Sequence, residues 1–374
     1  MNRRLALGFA LLCALVVGFA SAQETIRFPA RGQVPAGYPA DYLNVIRQAE
    51  DEGYLVIYSN TDLDTVRELV DYFQTLYPRI EVEYNDLGAT ELHHRYVAES
   101  AIGPNTADVL WSSAMDLQMS LVGKGYAQTY VSPEMTGLPS WANWDNQAFG
   151  TTYEPVVIAY NKRLLPADQV PQTHADLIRL LVAQRNALHD KVVTYNPVRS
   201  GVGYLLATQD ASVSPTAWEL VEALGGVGVR SYLTTEAMLS RVASGTALIA
   251  YNALGAYTLR AAAKNAEVGY VLPRDYTLVT SRVAFISRKA PHPNAARLWL
   301  DFLLSTRGQG LIANQARLFA VRADVEGATT AARLTQLAGD SLKPIALIPD
   351  LSRLLEEPQR SDFLRRWRAA AGKP

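Results

Sequence analysis

Cysteine is nearly absent from this sequence: the only one among its 374 residues is Cys13. It lies in an apolar run, residues 5–20, which follows the basic start MNRR and leads into the small residues Ala20-Ser21-Ala22. This order is typical of a secretory signal peptide and predicts a leader over residues 1–22 that is cleaved after Ala22. Cleavage would remove the thiol, so the mature chain would have neither a disulfide nor a thiolate metal ligand.

A strong excess of one charge is also missing, because 35 basic and 36 acidic residues give a net charge of −1. A nearly neutral chain does not indicate nucleic acid or a membrane surface as its partner. After the leader, no apolar run approaches the roughly 20 residues that a membrane-spanning helix needs. We therefore expect an exported globular monomer whose stability comes from its hydrophobic core.

Motifs of common catalytic and metal sites are absent as well. The sequence contains no HExxH, no GxSxG, no Walker A loop and no GxGxxG, and its five histidines do not have zinc-site spacing. These motifs place metal ligands, an activated serine or phosphate-binding backbone where chemistry needs them. We therefore expect no enzymatic activity, no cofactor and no metal site.

What the sequence does contain is a regular alternation of short apolar strands with amphipathic helical segments. Residues 55–58 form such a strand, for example, and Val66, Leu69, Val70 and Phe73 follow at helical spacing. Repeated units of this kind predict an α/β fold with largely parallel sheets.

Two long extended runs, residues 151–161 and 278–288, interrupt this alternation and bracket a middle block. They predict two α/β lobes joined by a two-strand hinge. Lobe one would comprise residues 23–153 plus 281–374, including the C-terminal helices, and lobe two would comprise residues 154–280.

Polar loops with small residues follow several of the predicted strands. Ligands of open α/β sheets bind beyond the carboxyl ends of the strands, where hydroxyls, amides and helix N-termini can hold an oxyanion. The candidate ligand-binding residues in these loops and at the first crossing are Ser59, Asn60, Thr61, Thr90, Ser112, Ser113, Thr152, Tyr153, Arg199, Ser200, Gly201, Tyr251 and Asn252.

The segment YNPVRSGVGY, residues 195–204, carries the only cation among these candidates. A strand precedes it and a helix follows, so its N–H groups open a helix N-terminus. We expect Arg199 to supply charge, and Ser200 and Gly201 to supply a hydroxyl and N–H groups, to one anionic group. The alternative is an arginine on the surface with its charge in water.

Four stretches, in this order along the chain, resemble the periplasmic substrate-binding proteins of ABC transporters. They are LVIYSNTDLDTVRELVDYFQTLYPRIEVEYNDLGATEL, ADVLWSSAMDLQMSLVGKGY, TTYEPVVIAYNKRLLP and LWLDFLLSTRGQGLIANQ. The likeness covers about residues 50–320, and the subgroup resembles the binders of ferric ion, sugar phosphates, phosphoglycerate and phosphonates.

This resemblance implies the type 2 fold of periplasmic binding proteins, in which two lobes close over one ligand. It also implies a permease and its ATPase in the inner membrane as partners, and a periplasmic location. A receptor that presents its ligand to a sensor kinase would show the same sequence features.

The nature of the ligand depends on a tyrosine pair. Ferric-binding members of the subgroup commonly place two consecutive tyrosines on the second lobe, whereas here Tyr251 is followed by Asn252 and no Tyr-Tyr pair occurs anywhere. We therefore expect a small anionic metabolite, namely a phosphate ester, a phosphonate or a carboxylate. The alternatives are a ferric-ion binding protein that gathers Tyr58, Tyr153, Tyr195 and Tyr251, or a secreted enzyme on a two-lobe scaffold.

Overall fold

A computed structural model describes residues 34–103 and 106–372 of the chain. The predicted leader and Cys13 lie outside these residues. Among the helices of the described part, none has both the length and the apolar character needed to cross a membrane.

The described residues alternate between helices and strands. The α-helices are α1 (Tyr42–Glu52), α2 (Leu63–Leu76), α3 (Ala89–Ile102), α4 (Met115–Gly123), α5 (His174–Ala183), α6 (Gly201–Val213), α7 (Ala217–Gly226), α8 (Thr235–Ala243), α9 (Gly255–Lys264), α10 (Pro293–Leu304), α11 (Thr306–Asn314), α12 (Ala331–Ala338) and α13 (Gln359–Ala370). The strands are β1 (Tyr54–Ser59), β2 (Glu81–Asp86), β3 (Val109–Ser112), β4 (Asn143–Trp144), β5 (Ala148–Gly150), β6 (Glu154–Asn161), β7 (Val192–Tyr195), β8 (Arg230–Tyr232), β9 (Ile249–Leu254), β10 (Val268–Val271), β11 (Thr277–Thr280), β12 (Val283–Ile286) and β13 (Leu342–Pro344). Short 3-10 helices span Pro133–Gly137, Ser140–Ala142, Ala167–Gln169, Gly339–Ser341 and Pro349–Leu355.

The first sheet has the strand order β2-β1-β3-β12-β5-β4. Strand β1 runs parallel to β2 and β3, and β12 runs antiparallel to β3 and β5. Helices α1, α2 and α10 cover one face and bury the apolar side chains that recur along them at helical spacing, among them Phe73 and Trp299. We call this sheet and its flanking helices, α1–α4 and α10–α12, the first lobe.

The second sheet has the strand order β13-β11-β6-β9-β7-β8, with β10 also paired to β6. Strand β7 is parallel to β8 and β9, and β6 is antiparallel to β9. The strands β7 and β9 are buried along their whole length, as expected for strands covered by helices on both faces. We call this sheet and helices α5–α9 the second lobe.

The chain passes between the two sheets at two places. One crossing joins the end of β5 to the start of β6 through residues 151–153, and the other joins β11 to β12 through residues 281–282. The crossings bind each other, because Thr151 N donates to Arg282 O at 2.9 Å and Arg282 N donates to Thr152 Oγ1 at 2.8 Å. Both crossings lie inside the extended runs that the sequence indicated.

The C-terminal tail contacts both lobes. Strand β13 pairs with β11, residues Pro349–Leu355 pack on α4, and α13 packs on α7, where Phe363 lies against Trp218 with ring centroids 5.3 Å apart. The predicted division into residues 23–153 plus 281–374 and residues 154–280 stays a prediction.

Candidate functional site

A cavity of about 390 Å³ lies between the two lobes, at the carboxyl ends of the strands. Its walls come from the loops that follow β1, β2 and β3 in the first lobe and β7, β8 and β9 in the second lobe, as expected for open α/β sheets. The first lobe contributes Asn60, Asp62, Asp86, Leu87, Gly88, Ala89, Thr90, Glu91 and Ser113. The second lobe contributes Tyr195, Arg199, Ser200, Gly201, Val202, Leu233, Thr234, Thr235, Glu236, Leu254 and Tyr257, and the second crossing contributes Arg282.

In the first lobe, Asn60 and Ser113 hold each other in place. The Asn60 amide donates to Ser113 Oγ at 2.9 Å, and Asn60 Oδ1 accepts the Ser113 N–H at 2.9 Å. The Ser113 hydroxyl oxygen is thus used as an acceptor, which leaves its proton for a ligand in the cavity. This pair presents one neutral donor in a fixed position.

We expect Ser113→Ala to weaken ligand binding by about 1–3 kcal/mol, because an oxygen of the bound ligand would lose its partner in a buried site. Calorimetry on the purified protein measures this loss. Ser212→Ala is the matched control, since Ser212 is exposed near the far end of α6. Equal affinity of Ser113→Ala and the parent would contradict the role of Ser113.

The loop YNPVRSGVGY leads into α6 and forms its N-terminus. Asn196 Oδ1 accepts the N–H groups of Val198 and Arg199, at 3.0 and 3.1 Å, and so folds the loop back on itself. Ser200 is the N-cap: its Oγ accepts the N–H of Gly203 at 3.2 Å. The N–H groups of the next residues, Gly201 and Val202, precede the hydrogen-bond ladder of the helix, and both residues line the cavity.

The same loop touches the first lobe. Thr90 Oγ1 donates to the carbonyl of Arg199 at 3.4 Å. A Cβ at Gly201 would lie 2.7 Å from Leu117 Cδ1, and Ala114 and Ala89 would be close behind it. The lobes are therefore closed against each other beside the cavity, and the absence of a side chain at Gly201 permits that approach.

Arg282 forms the floor of the cavity. Its side chain is 1% exposed, its Nε lies 2.9 Å from Glu154 Oε1, and its Nη1 donates to Thr61 Oγ1 at 2.6 Å. Nη2 is buried and has no hydrogen-bond partner among the residues that the structure describes. Burial is the largest single effect and opposes its charge, but Glu154, Tyr257 and Tyr84 together outweigh it and raise the pKa of Arg282 above its ordinary value. A permanently charged guanidinium with an unsatisfied N–H group thus lies at the cavity, an arrangement suited to an oxyanion.

Two tyrosines complete the second-lobe wall. Tyr195 shares a hydrogen bond of 2.7 Å with Thr235, and burial raises the pKa of Tyr195 to about 12. Burial likewise raises the pKa of Tyr257, against the opposing effect of Arg282. Both phenols are neutral at neutral pH and act as hydrogen-bonding groups.

The residues predicted from the sequence fall into three sets. Those that line the cavity are Asn60, Thr90, Ser113, Arg199, Ser200 and Gly201. Arg199 is exposed at the cavity wall. Ser59, Thr61, Ser112 and Thr152 are buried behind the lining and hold its loops: the hydroxyls of Ser59 and Ser112, for example, accept backbone N–H groups two residues further on.

Three predicted residues lie away from the cavity. Tyr153 packs on Trp141 in the core of the first lobe. Tyr251 and Asn252 turn to the buried Asp210, whose Oδ2 accepts their hydrogen bonds at 2.8 and 2.6 Å. These two residues satisfy a buried carboxylate, because an unpaired one would be costly there.

Several residues that line the cavity were not predicted from the sequence. Arg282 stands in the run LVTSRVAFISR, and a single charge inside an apolar extended segment was the signal that could have found it. Tyr257 and residues 233–236 gave no such signal. Nor did the carboxylates of Asp62, Asp86, Glu91 and Glu236, since acidic residues near the ends of strands and helices are usually only solvated.

Comparison with known proteins gives the following matches. Residues 68–338 match a family described as bacterial extracellular solute-binding proteins. The solved substrate-binding protein of an ABC transporter from Agrobacterium tumefaciens is 36% identical, with a TM-score of 0.82 over 85% of this chain and 94% of that chain. A comparison with curated proteins finds no match.

Two more distant structures share the fold. Iron-bound HitA from Pseudomonas aeruginosa is 18% identical, with a TM-score of 0.65 over 85% of this chain and 99% of that chain. AfuA from Actinobacillus pleuropneumoniae, with fructose-6-phosphate bound, is 18% identical, with a TM-score of 0.69 over 86% of this chain and 99% of that chain. The predicted α/β fold of two lobes, that of type 2 periplasmic binding proteins, is confirmed.

Proposed function

Because this chain belongs to the bacterial extracellular solute-binding protein family, we propose that it captures a small organic anion between its lobes. The ligand is a phosphate ester, a phosphonate or a carboxylate, and the closed protein delivers it to a permease and its ATPase in the inner membrane. In this proposal the chain works in the periplasm after loss of its leader, and it binds the ligand without catalysing a reaction.

The observation that carries the proposal is the buried Nη2 of Arg282, which lies beside a cavity of about 390 Å³ and has no hydrogen-bond partner in the described part of the chain. An unsatisfied N–H group on a buried charge is costly, and an oxyanion would satisfy it. The start of α6 and the Ser113 hydroxyl lie around the same space and add donors to it. Hydrogen-bond donors that converge on one space suit an acceptor-rich ligand.

Ferric ion is the competing ligand, and two observations make it the weaker candidate. Of Tyr58, Tyr153, Tyr195 and Tyr251, the four tyrosines considered for iron, Tyr195 lines the cavity and the others bond or pack elsewhere. Over residues 34–103 and 106–372, no three His, Cys, Asp or Glu side chains gather as a metal site. A ferric-phenolate site would absorb visible light. Because we expect no such site, the protein should gain no visible absorption band when ferric citrate is added.

A thermal-shift panel of phosphate esters, phosphonates and carboxylates tests the proposal directly. A true ligand at a hundred times its dissociation constant stabilises the folded protein by about 2.7 kcal/mol, because it binds the native state alone. We expect stabilisation by at least one of the three classes and none by ferric citrate. A coloured, stabilised complex with ferric citrate, together with no response to the organic anions, would reverse the assignment.

A further inference from the structure

The cavity that holds Arg282 also has an acidic side. Asp62, Asp86, Glu91 and Glu236 line it, against Arg199 and Arg282. Glu154, behind the lining, already pairs with Arg282 at 2.9 Å. The walls thus carry more negative than positive charge, which a ligand with negative charge alone would leave uncompensated.

The carboxylates face each other across the gap between the lobes. Asp62 follows β1 and Asp86 ends β2 in the first lobe, whereas Glu236 lies in the first turn of α8 in the second lobe. Burial, followed by the charges of Asp62, Asp64 and Glu236, raises the pKa of Asp86. Closure therefore brings like charges together, and a cation between them would relieve that repulsion.

The acidic wall suits an organic cation better than a metal ion. A metal needs ligands converging at 2.0–2.6 Å, and in the described part of the chain no three acidic, histidine or cysteine side chains converge in this way. Carboxylates spread over a wall suit an ammonium group, which is held by charge at several contacts and has three donors.

We propose, on the basis of the proposed function, that the ligand is a small zwitterion. Its oxyanion lies against Arg282 and the start of α6, and its ammonium group lies among Asp62, Asp86 and Glu236. Arg282, through its Nη2, recognises the oxyanion, and the acidic residues recognise the ammonium group of the same molecule.

Calorimetry with three matched series tests the ammonium end. Each series keeps one oxyanion and changes the other end: O-phosphoethanolamine, 2-hydroxyethyl phosphate and ethyl phosphate; 2-aminoethylphosphonate, 2-hydroxyethylphosphonate and ethylphosphonate; β-alanine, 3-hydroxypropionate and propionate. In each series that binds, we expect the amine to bind about tenfold tighter or more, the effect of one charge-assisted contact. Equal or tighter binding of the hydroxyl or alkyl compound overturns the zwitterion and leaves the proposed function standing. Failure of all nine compounds to bind overturns the zwitterion, and the response to the wider thermal-shift panel then decides the proposed function.

The double variant Asp86→Asn with Glu236→Gln locates the ammonium group. It keeps the shape of both side chains, so we expect the amine to lose its advantage while the alkyl compound binds as well as before or better. Asp71→Asn is the control, since Asp71 is exposed on α2 outside the cavity. A double variant that folds, binds the oxyanion and keeps the full preference for the amine overturns the assignment.

Discussion

Arg282→Lys should lower the affinity for the anionic ligand by roughly 10- to 100-fold, the largest loss we expect from a substitution that keeps the charge. The guanidinium reaches Glu154, Thr61 and the cavity at once, because its donors point in several fixed directions. A lysine ammonium is a single point of charge on a flexible stem and cannot serve all three partners. Calorimetry with the best compound of the thermal-shift panel measures the loss.

We choose lysine and not alanine because Arg282→Ala would leave the buried Glu154 without a counter-charge. That loss would lower the free energy of unfolding by about 3–5 kcal/mol. The double variant Arg282→Met with Glu154→Gln removes both charges and should stay folded without binding the ligand. Arg274→Lys is the control, since Arg274 is exposed and outside the cavity. Undiminished affinity in a folded Arg282→Lys protein would show that Arg282 is only a structural ion pair.

Gly201→Leu should fold normally and yet fail to close. The side chain would enter the contact with Ala89, Ala114 and Leu117, which all belong to the first lobe. Overpacking such a contact costs about 1–3 kcal/mol, so the apparent affinity should fall about 5- to 150-fold as the closed state becomes rarer. Small-angle scattering should show compaction on ligand addition in the parent and little or none in Gly201→Leu.

Gly310→Leu is the matched control, because Gly310 is also a helical glycine and a Cβ there would meet no atom of the described residues within 4 Å. Leucine favours a helix over glycine by up to about 1 kcal/mol, so neither variant should lose stability within its own lobe. If Gly201→Leu still compacts with ligand and binds as the parent does, the lobes do not approach each other through α6.

The two-lobe arrangement could be predicted because it depends on patterns that one sequence displays. Short apolar runs indicated β1 and β7, helical spacing indicated α2, and the two long extended runs indicated the crossings. Element ends were less accurate: the run over residues 151–161 first passes between the two sheets, and β6 begins only at Glu154. Such breaks are set by contacts with distant residues, here with Arg282 and Phe319.

The site could be predicted only where the position of a residue in its own strand-end loop is enough to place it at the cavity. The loop after β7 and the pair Asn60 and Ser113 were found, because strand ends and small polar residues are visible in the sequence. Tyr251 and Asn252 also follow this pattern, yet Asp210, some 40 positions earlier, takes their hydrogen bonds. Arg282 was missed for the converse reason: its place in the floor depends on Glu154 and Thr61, which only folding brings to it.

The tail that packs on both lobes limits how far they can part. Residues Pro349–Leu355 lie on α4, and α13, which begins at Gln359, lies on α7. From residue 355 to residue 359 even a fully extended chain spans at most about 14 Å. While both segments stay packed, this short linker limits how far α4 and α7, and with them the two lobes, can separate. The lobes can then separate enough to admit a small solute but not freely. After the ligand has left, only a small movement of the lobes closes the protein again.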